Sequence, residues 1–121
     1  MIDDEGSIRL ALRRFLSREG WQVEEAADGQ IALDKLKDVA SPSSHYELLI
    51  CDLRMPGVSG PELYDWLHAN RPELVRRLIM ATGDAVSEEA ASFVGRTSCP
   101  VLQKPFELSD LRTLVQRVTT D

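Results

Sequence analysis

The stretch Leu48-Leu49-Ile50-Cys51-Asp52-Leu53-Arg54-Met55-Pro56-Gly57-Val58-Ser59-Gly60 decides how this chain folds. Its first four residues leave no polar face, which is the pattern of a strand covered on both sides in a parallel sheet. The run ends at Asp52, a charge that is costly to bury without a partner. Residues 55–60 then read as a turn-rich loop, and Pro61 opens a helix over residues 61–69, where a missing N–H costs nothing in the first turn.

Working towards the N-terminus, residues 31–39 show helical spacing with Ala32, Leu36 and Val39 on one stripe, followed by a Ser41-Pro42-Ser43-Ser44 loop. Residues 21–26 read as a strand with Trp21 and Val23 on one face. Ile8, Ala11, Leu12, Phe15 and Leu16 mark an earlier helix that Gly20 stops. Towards the C-terminus, residues 78–81 form a short apolar strand leading into Thr82-Gly83, and residues 87–94 a helix. Val101 and Leu102 lie on a last strand, and Ser109 or a neighbour caps a final helix carrying Leu111, Leu114, Val115 and Val118.

Strands alternating with helices imply right-handed crossovers and a parallel sheet with helices on both faces. Ligands of such sheets bind outside the carboxyl ends of the strands. Asp3-Asp4, Asp52, Thr82 and Lys104 each stand where an apolar run gives way to a loop, so this topology gathers them at one sheet edge.

Composition narrows the function. A chain of 121 residues makes one domain, 1–121. A net charge of −6 argues against nonspecific attraction to nucleic acid. No apolar run approaches the roughly 20 residues needed to cross a membrane, and the first residues lack the pattern of a secretory signal, so a cytoplasmic location without membrane contact is expected. Cys51 and Cys99 have neither framework nor metal-type spacing and read as free thiols. His45 and His68 read as solvated, and Arg9, Arg13, Arg14 and Arg18 as a solvated helix face.

Four motifs, in order and suitably separated, resemble the receiver domain of two-component response regulators over nearly the whole chain. They are Ile2-Asp3-Asp4-Glu5, residues 52–60 as quoted above, Ala81-Thr82-Gly83 and Lys104-Pro105-Phe106. The resemblance implies a flavodoxin-like doubly wound sheet with strand order 2-1-3-4-5. It also implies Asp52 as phosphoacceptor, Asp3 and Asp4 as an acid pair, Thr82 as the switch hydroxyl and Lys104 as the phosphoryl-pairing lysine. A Mg²⁺ (or Mn²⁺) ion would sit on Asp4 and Asp52, with Asp3 acting through water and the Arg54 carbonyl adding a neutral oxygen, a donor set suited to a hard cation. Gly83 keeps the approach open, and Arg54 and Asp84 flank the site where they can tune hydrolysis.

The implied partner is a histidine kinase or phosphotransfer domain, and the chain itself is expected to be a phosphoacceptor rather than an enzyme. The segments Thr82-Gly83-Asp84 and Pro100-Val101-Leu102-Gln103-Lys104-Pro105-Phe106 look most like receivers of hybrid sensor histidine kinases. A stand-alone receiver and a receiver of a larger regulator are the other settings, with no output domain expected after the last helix. An aspartate-nucleophile phosphatase resembles Asp-x-Asp, which Arg54 contradicts here. A purely interacting module would not need the complete site.

The chain departs from the family pattern twice. Val101 stands where the family often has an aromatic switch residue, so output is expected through backbone shifts near Thr82 and Lys104. Only Met1 and Ile2 precede Asp3, against a typical strand of about five residues. The first strand is expected to be truncated, through a shortened or misassigned start or with another molecule filling the gap, and strand exchange or an altered dimer is the resulting expectation.

Overall fold

A computed structural model describes residues 1–3, 5–37, 46–55, 57–83, 88–97, 99–104 and 106–119. Its elements run α1 (Gly6–Arg18), α2 (Gly29–Lys37), β1 (Leu49–Asp52), α3 (Gly60–Asn70), α4 (Pro72–Val75), β2 (Leu78–Thr82), α5 (Glu88–Arg96), β3 (Val101–Gln103) and α6 (Leu108–Thr119). Gly20 ends the first helical segment with a φ of 92°, a left-handed conformation that a side chain disfavours. Ser59 caps α3: its hydroxyl accepts from Glu62 N–H at 3.3 Å and donates to the Glu62 carboxylate at 3.2 Å. Ser109 lies inside α6 rather than capping it, the first turn closing instead on the Glu107 carbonyl.

The three strands pair in parallel in the order β1-β2-β3, with Cys51 opposite Met80 and Ala81 opposite Leu102. Alternate strand residues serve two separate cores, as the period-2 geometry of a strand requires. Leu49, Cys51, Leu78 and Met80 pack with Ala32, Leu36, Leu63, Leu67, Ala90 and Phe93 from α2, α3 and α5. Ile50, Ile79 and Leu102 pack on the opposite face with Leu12, Phe15 and Leu16 of α1 and Leu111, Val115 and Val118 of α6. The result is a three-layer sandwich of the expected doubly wound kind. Among the described residues, no helix is long and apolar enough to cross a membrane.

The five-position order expected from the sequence is present, although two positions are held by bridges rather than full strands. Ile2 bridges in parallel to both Ala26 and Cys51, which places the start of the chain between residue 26 and β1. Read across the sheet, the order is the 26 position, the Met1–Asp3 stub, β1, β2, β3. The strand expected over residues 21–26 is corrected: only Ala26 has a bridge, to Ile2, and residues 21–25 form no ladder. Burial lowers the Met1 amine from its ordinary value of 8.0, partly opposed by the nearby Cys51, Glu24 and Glu25.

Several side chains differ from expectation in ways that follow from packing. Ala11 is exposed although it shares the α1 spacing, since Leu12, Phe15 and Leu16 suffice to cover that face of the sheet. Arg9 and Arg13 are not merely solvated: both reach Glu25, at 3.5 and 2.8 Å, and Arg9 also donates to the Asp3 carbonyl at 2.6 Å. His68 is exposed and stacks on Tyr64. Val39, His45, the 41–44 loop and Ser87 lie outside the described residues.

Candidate functional site

The carboxyl edge of the sheet carries the site. Asp52 is the last residue of β1, and its backbone is held from both sides: its N–H donates to Ile2 O at 2.8 Å, and Leu53 N–H donates to Ala81 O at 2.8 Å. Asp3 leaves the stub one residue after Ile2, and Glu5 N–H donates to its Oδ1 at 2.9 Å. Lys104 follows β3 and hangs from β2 through its N–H to Thr82 O at 2.7 Å. Among the described residues, Asp3, Asp52 and Thr82 are the buried polar residues of this edge.

The Lys104 ammonium joins these groups. Its Nζ lies 2.7 Å from Asp3 Oδ2, 3.1 Å from Asp52 Oδ2 and 3.8 Å from Glu5 Oε1. Burial raises the Asp52 carboxyl above the ordinary aspartate value, and Lys104 offsets only part of this. Burial alone would weaken the Lys104 ammonium; the Asp3 hydrogen bond and the charges of Asp52 and Asp3 outweigh it, and its value is raised. The cluster therefore holds the Lys104 ammonium firmly while the Asp52 carboxylate carries a desolvation cost.

Two glycines position the loop after Asp52. A Cβ on Gly60 would lie 2.8 Å from Asp52 O and 2.9 Å from Leu53 Cα, so the start of α3 presses directly on the end of β1. A Cβ on Gly29 would fall 1.9 Å from Val58 O, so the start of α2 abuts the same loop. Gly57 turns that loop with a φ of 75°.

The residues expected at the site divide as follows. Asp3, Asp52 and Lys104 are in direct contact, and Thr82 is tied to Lys104 through the backbone. Arg54 is exposed and offers its N–H to Asp52 Oδ1 at 3.4 Å, while Gly83 is exposed at the mouth. Val101 is half-buried against the α2–α5 core and lines a groove with Lys104 and Leu114. Asp4, Asp84 and Pro105 lie outside the described residues.

Glu5 was given no role by motif reading, yet its carboxylate joins those of Asp3 and Asp52 within 4.8 Å of one another. Its place directly after the acid pair was the available signal. Three clustered carboxylate oxygens suit a hard oxygen-seeking cation such as Mg²⁺, whose binding would relieve their mutual repulsion. The donor set thus fits the ion the family implies.

Comparison with known proteins identifies the class. Residues 1–116 match the response regulator receiver domain model, and the chain belongs to that family. It is a receiver domain of a two-component system. Response regulator MprA of Mycolicibacterium vanbaalenii is 34% identical over 125 residues, covering 100% of this chain and 51% of MprA. Sensor protein EvgS of Escherichia coli O157:H7 is 37% identical over 113 residues, covering 93% of this chain and 9% of EvgS. The chain thus spans about half of one relative and under a tenth of the other.

Solved structures agree. The response regulator TrrA from Thermotoga maritima, in complex with Mg²⁺-BeF, superposes with a TM-score of 0.78 at 28% identity, covering 97% of this chain and 94% of that one. The receiver domain of a signal transduction histidine kinase from Syntrophus aciditrophicus gives a TM-score of 0.82 at 22% identity, covering 98% and 86%, and supports the flavodoxin-like fold.

Proposed function

We propose that Asp52 accepts a phosphoryl group from the phosphohistidine of a histidine kinase or phosphotransfer domain, in a reaction that requires Mg²⁺ or Mn²⁺. The observation that carries this reading is the Lys104 ammonium, held between the buried carboxylates of Asp3 and Asp52 at the carboxyl edge of the sheet. Phosphoryl transfer depends mainly on positioning and on neutralising charge spread over the phosphoryl oxygens, and these residues supply both.

A carboxylate oxygen of Asp52 attacks phosphorus as the phosphorus–nitrogen bond of the donor breaks. The bonding pair stays with the imidazole, which leaves as a neutral ring when its other nitrogen carries a proton. The product is an acyl phosphate on Asp52. Lys104, already 3.1 Å from Asp52 Oδ2, exchanges that contact for a phosphoryl oxygen while keeping Asp3. The Thr82 hydroxyl donates to another phosphoryl oxygen, and Gly83 leaves the entrance open.

Asp4 and Asp52 would hold the metal directly, with Asp3 through water, the Arg54 carbonyl as a neutral ligand and the Glu5 carboxylate nearby. Bound there, the ion would neutralise charge on both the carboxylates and the transferring group. Arg54, whose N–H faces Asp52, and Asp84, two residues after Thr82 in the sequence, are the positions proposed to tune hydrolysis of the product. The Lys104 N–H to Thr82 O bond gives movement at either residue a backbone route to Val101, whose side chain cannot act as an aromatic switch.

Incubation with acetyl phosphate or phosphoramidate, with and without Mg²⁺, followed by intact mass tests the reading. The wild type is expected to gain one phosphoryl group only with the metal, and Asp52→Asn none. An unmodified wild type, or equal modification of Asp52→Asn, would overturn it.

A further inference from the structure

Each polar atom of Asp3 has a partner. Its N–H donates to Ala26 O at 3.1 Å, its Oδ1 accepts from Glu5 N–H at 2.9 Å, and its Oδ2 accepts from Lys104 Nζ at 2.7 Å. The remaining atom, the carbonyl oxygen, accepts from Arg9 Nη1 at 2.6 Å. That carbonyl leads into residue 4 and the Glu5 N–H leads out of it, so the Arg9 and Asp3 side chains bracket the second position of the acid pair.

Local rules do not ask for an arginine here. Arg9 closes the first turn of α1, where the positive end of the helix dipole gives a cation no support and no acid stands in the turn to offset it. Yet its side chain is mostly covered, at 22% exposure, and one rigid guanidinium serves two acceptors. Nη1 holds the Asp3 carbonyl, and Nε lies 3.5 Å from Glu25 Oε1, while Arg13 takes Glu25 Oε2 at 2.8 Å. Glu25 precedes Ala26, whose carbonyl accepts the Asp3 N–H. The contacts therefore run in a closed ring from the Asp3 carbonyl through Arg9 and residues 25–26 back to the Asp3 N–H. A half-exposed ion pair contributes little by itself. A charged donor on the carbonyl between two acids is a stronger and more directional bond.

We propose that Arg9 is a positioning residue for the Asp3-Asp4 acid pair, holding the Asp3 carbonyl so that a divalent cation meets carboxylates carried on a fixed backbone. The inference rests on the metal-dependent reading of the site given above. Mg²⁺ demands near-ideal octahedral geometry at about 2.0–2.1 Å, so loosening the turn lowers affinity although no ligand is removed. Partners that orient metal ligands commonly account for about tenfold or more in affinity. Charge alone predicts the opposite sign: removing a cation near clustered carboxylates strengthens their attraction for a divalent ion. The direction of the change therefore separates positioning from simple electrostatics.

The test titrates Mg²⁺ into the wild type, Arg9→Met, Arg9→Lys and Arg13→Met by calorimetry, and follows exchange of the Glu5 amide in the metal-free proteins. Arg9→Met is expected to bind Mg²⁺ about tenfold more weakly and to exchange the Glu5 amide faster. Arg9→Lys, which keeps a charged donor but not the fork, is expected to recover part of both. Arg13→Met loses the same charge beside Glu25 without touching Asp3, and is expected to stay within about twofold of the wild type. A stabilising osmolyte, added equally to all four, keeps a weakened variant folded. Mg²⁺ binding by Arg9→Met as tight as that of the wild type, or tighter, would overturn the proposal, and so would equal weakening in Arg13→Met. A wild type that binds no Mg²⁺ would overturn the metal-dependent reading instead. Glu5 exchange, which needs no metal, then decides the positioning, and equal rates in the wild type and Arg9→Met would overturn it.

Discussion

The Lys104 ammonium stands 3.1 Å from the Asp52 carboxylate, 52 positions apart in sequence and with β2 between their strands in the sheet. Because the same ammonium lies 2.7 Å from Asp3, one cation offsets two buried anions. Lys104→Met is expected to destabilise the metal-free protein by about 1–3 kcal/mol, the cost of leaving buried polar groups unpaired. Urea denaturation measures the loss, and added Mg²⁺ is expected to recover part of it.

Asp52→Asn removes the carboxylate on which burial weighs, while Lys104 retains Asp3. It is expected to raise stability by about 1 kcal/mol. The measurement is the same denaturation series, and a loss of similar size would show that the Asp52 to Lys104 pair outweighs the desolvation of Asp52.

Glu5→Gln is expected to weaken Mg²⁺ binding by about two- to tenfold while leaving the fold intact, since Glu5 is exposed and contributes one of three clustered carboxylates. Titration of Mg²⁺ by intrinsic tryptophan fluorescence or calorimetry reads the change.

Gly60→Ala forces a Cβ within 2.8 Å of the Asp52 carbonyl, a backbone atom that cannot swing aside. The expected cost is about 1–3 kcal/mol, together with slower phosphoryl acceptance because the end of β1 moves. Gly20→Ala tests a different quantity: its Cβ meets nothing within 4 Å, and the cost comes from the positive φ alone.

Burial raises the Cys99 thiol from 9.0 to about 11, with a backbone hydrogen bond opposing, and pushes the fully buried Cys51 higher still. At pH 8 the thiolate fraction of Cys99 is about a hundredfold below that of an unfolded thiol. Thiol labelling of the native protein is therefore expected to be slow and to accelerate in denaturant. Above pH 9 the unfolded chain binds fewer protons than the native one, so stability falls as pH rises towards 11.

Much of this was legible because the decisive signals are local. The uninterrupted run ending at Asp52 announced a two-sided strand, and β1 is buried at all four positions. Asp3, Asp52 and Lys104 were recoverable as spatial neighbours because topology alone brings strand ends together. What escaped depends on contacts between distant segments. Glu5 joins the cluster only once the chain has turned from Asp3 into α1, and Gly29 reveals its use only against Val58. The strand expected over residues 21–26 failed for a related reason: its own side-chain pattern is adequate, but a strand is defined by its ladder, and only Ala26 finds a parallel bridge, to Ile2. The short α4 helix was missed because Pro72 and a single buried leucine, Leu74, give too little periodicity to register.

Ile50 and Cys51 are adjacent in the chain yet belong to different cores, one shared with α1 and α6 and the other with α2, α3 and α5. The strand that ends in Asp52 is therefore a common beam under two floors. A small displacement at its tip has to be absorbed above and below together, since interiors this closely packed do not yield on one side alone. The phosphoryl transfer proposed for Asp52 would thereby be readable from either helical surface, by partners that need never touch the acceptor.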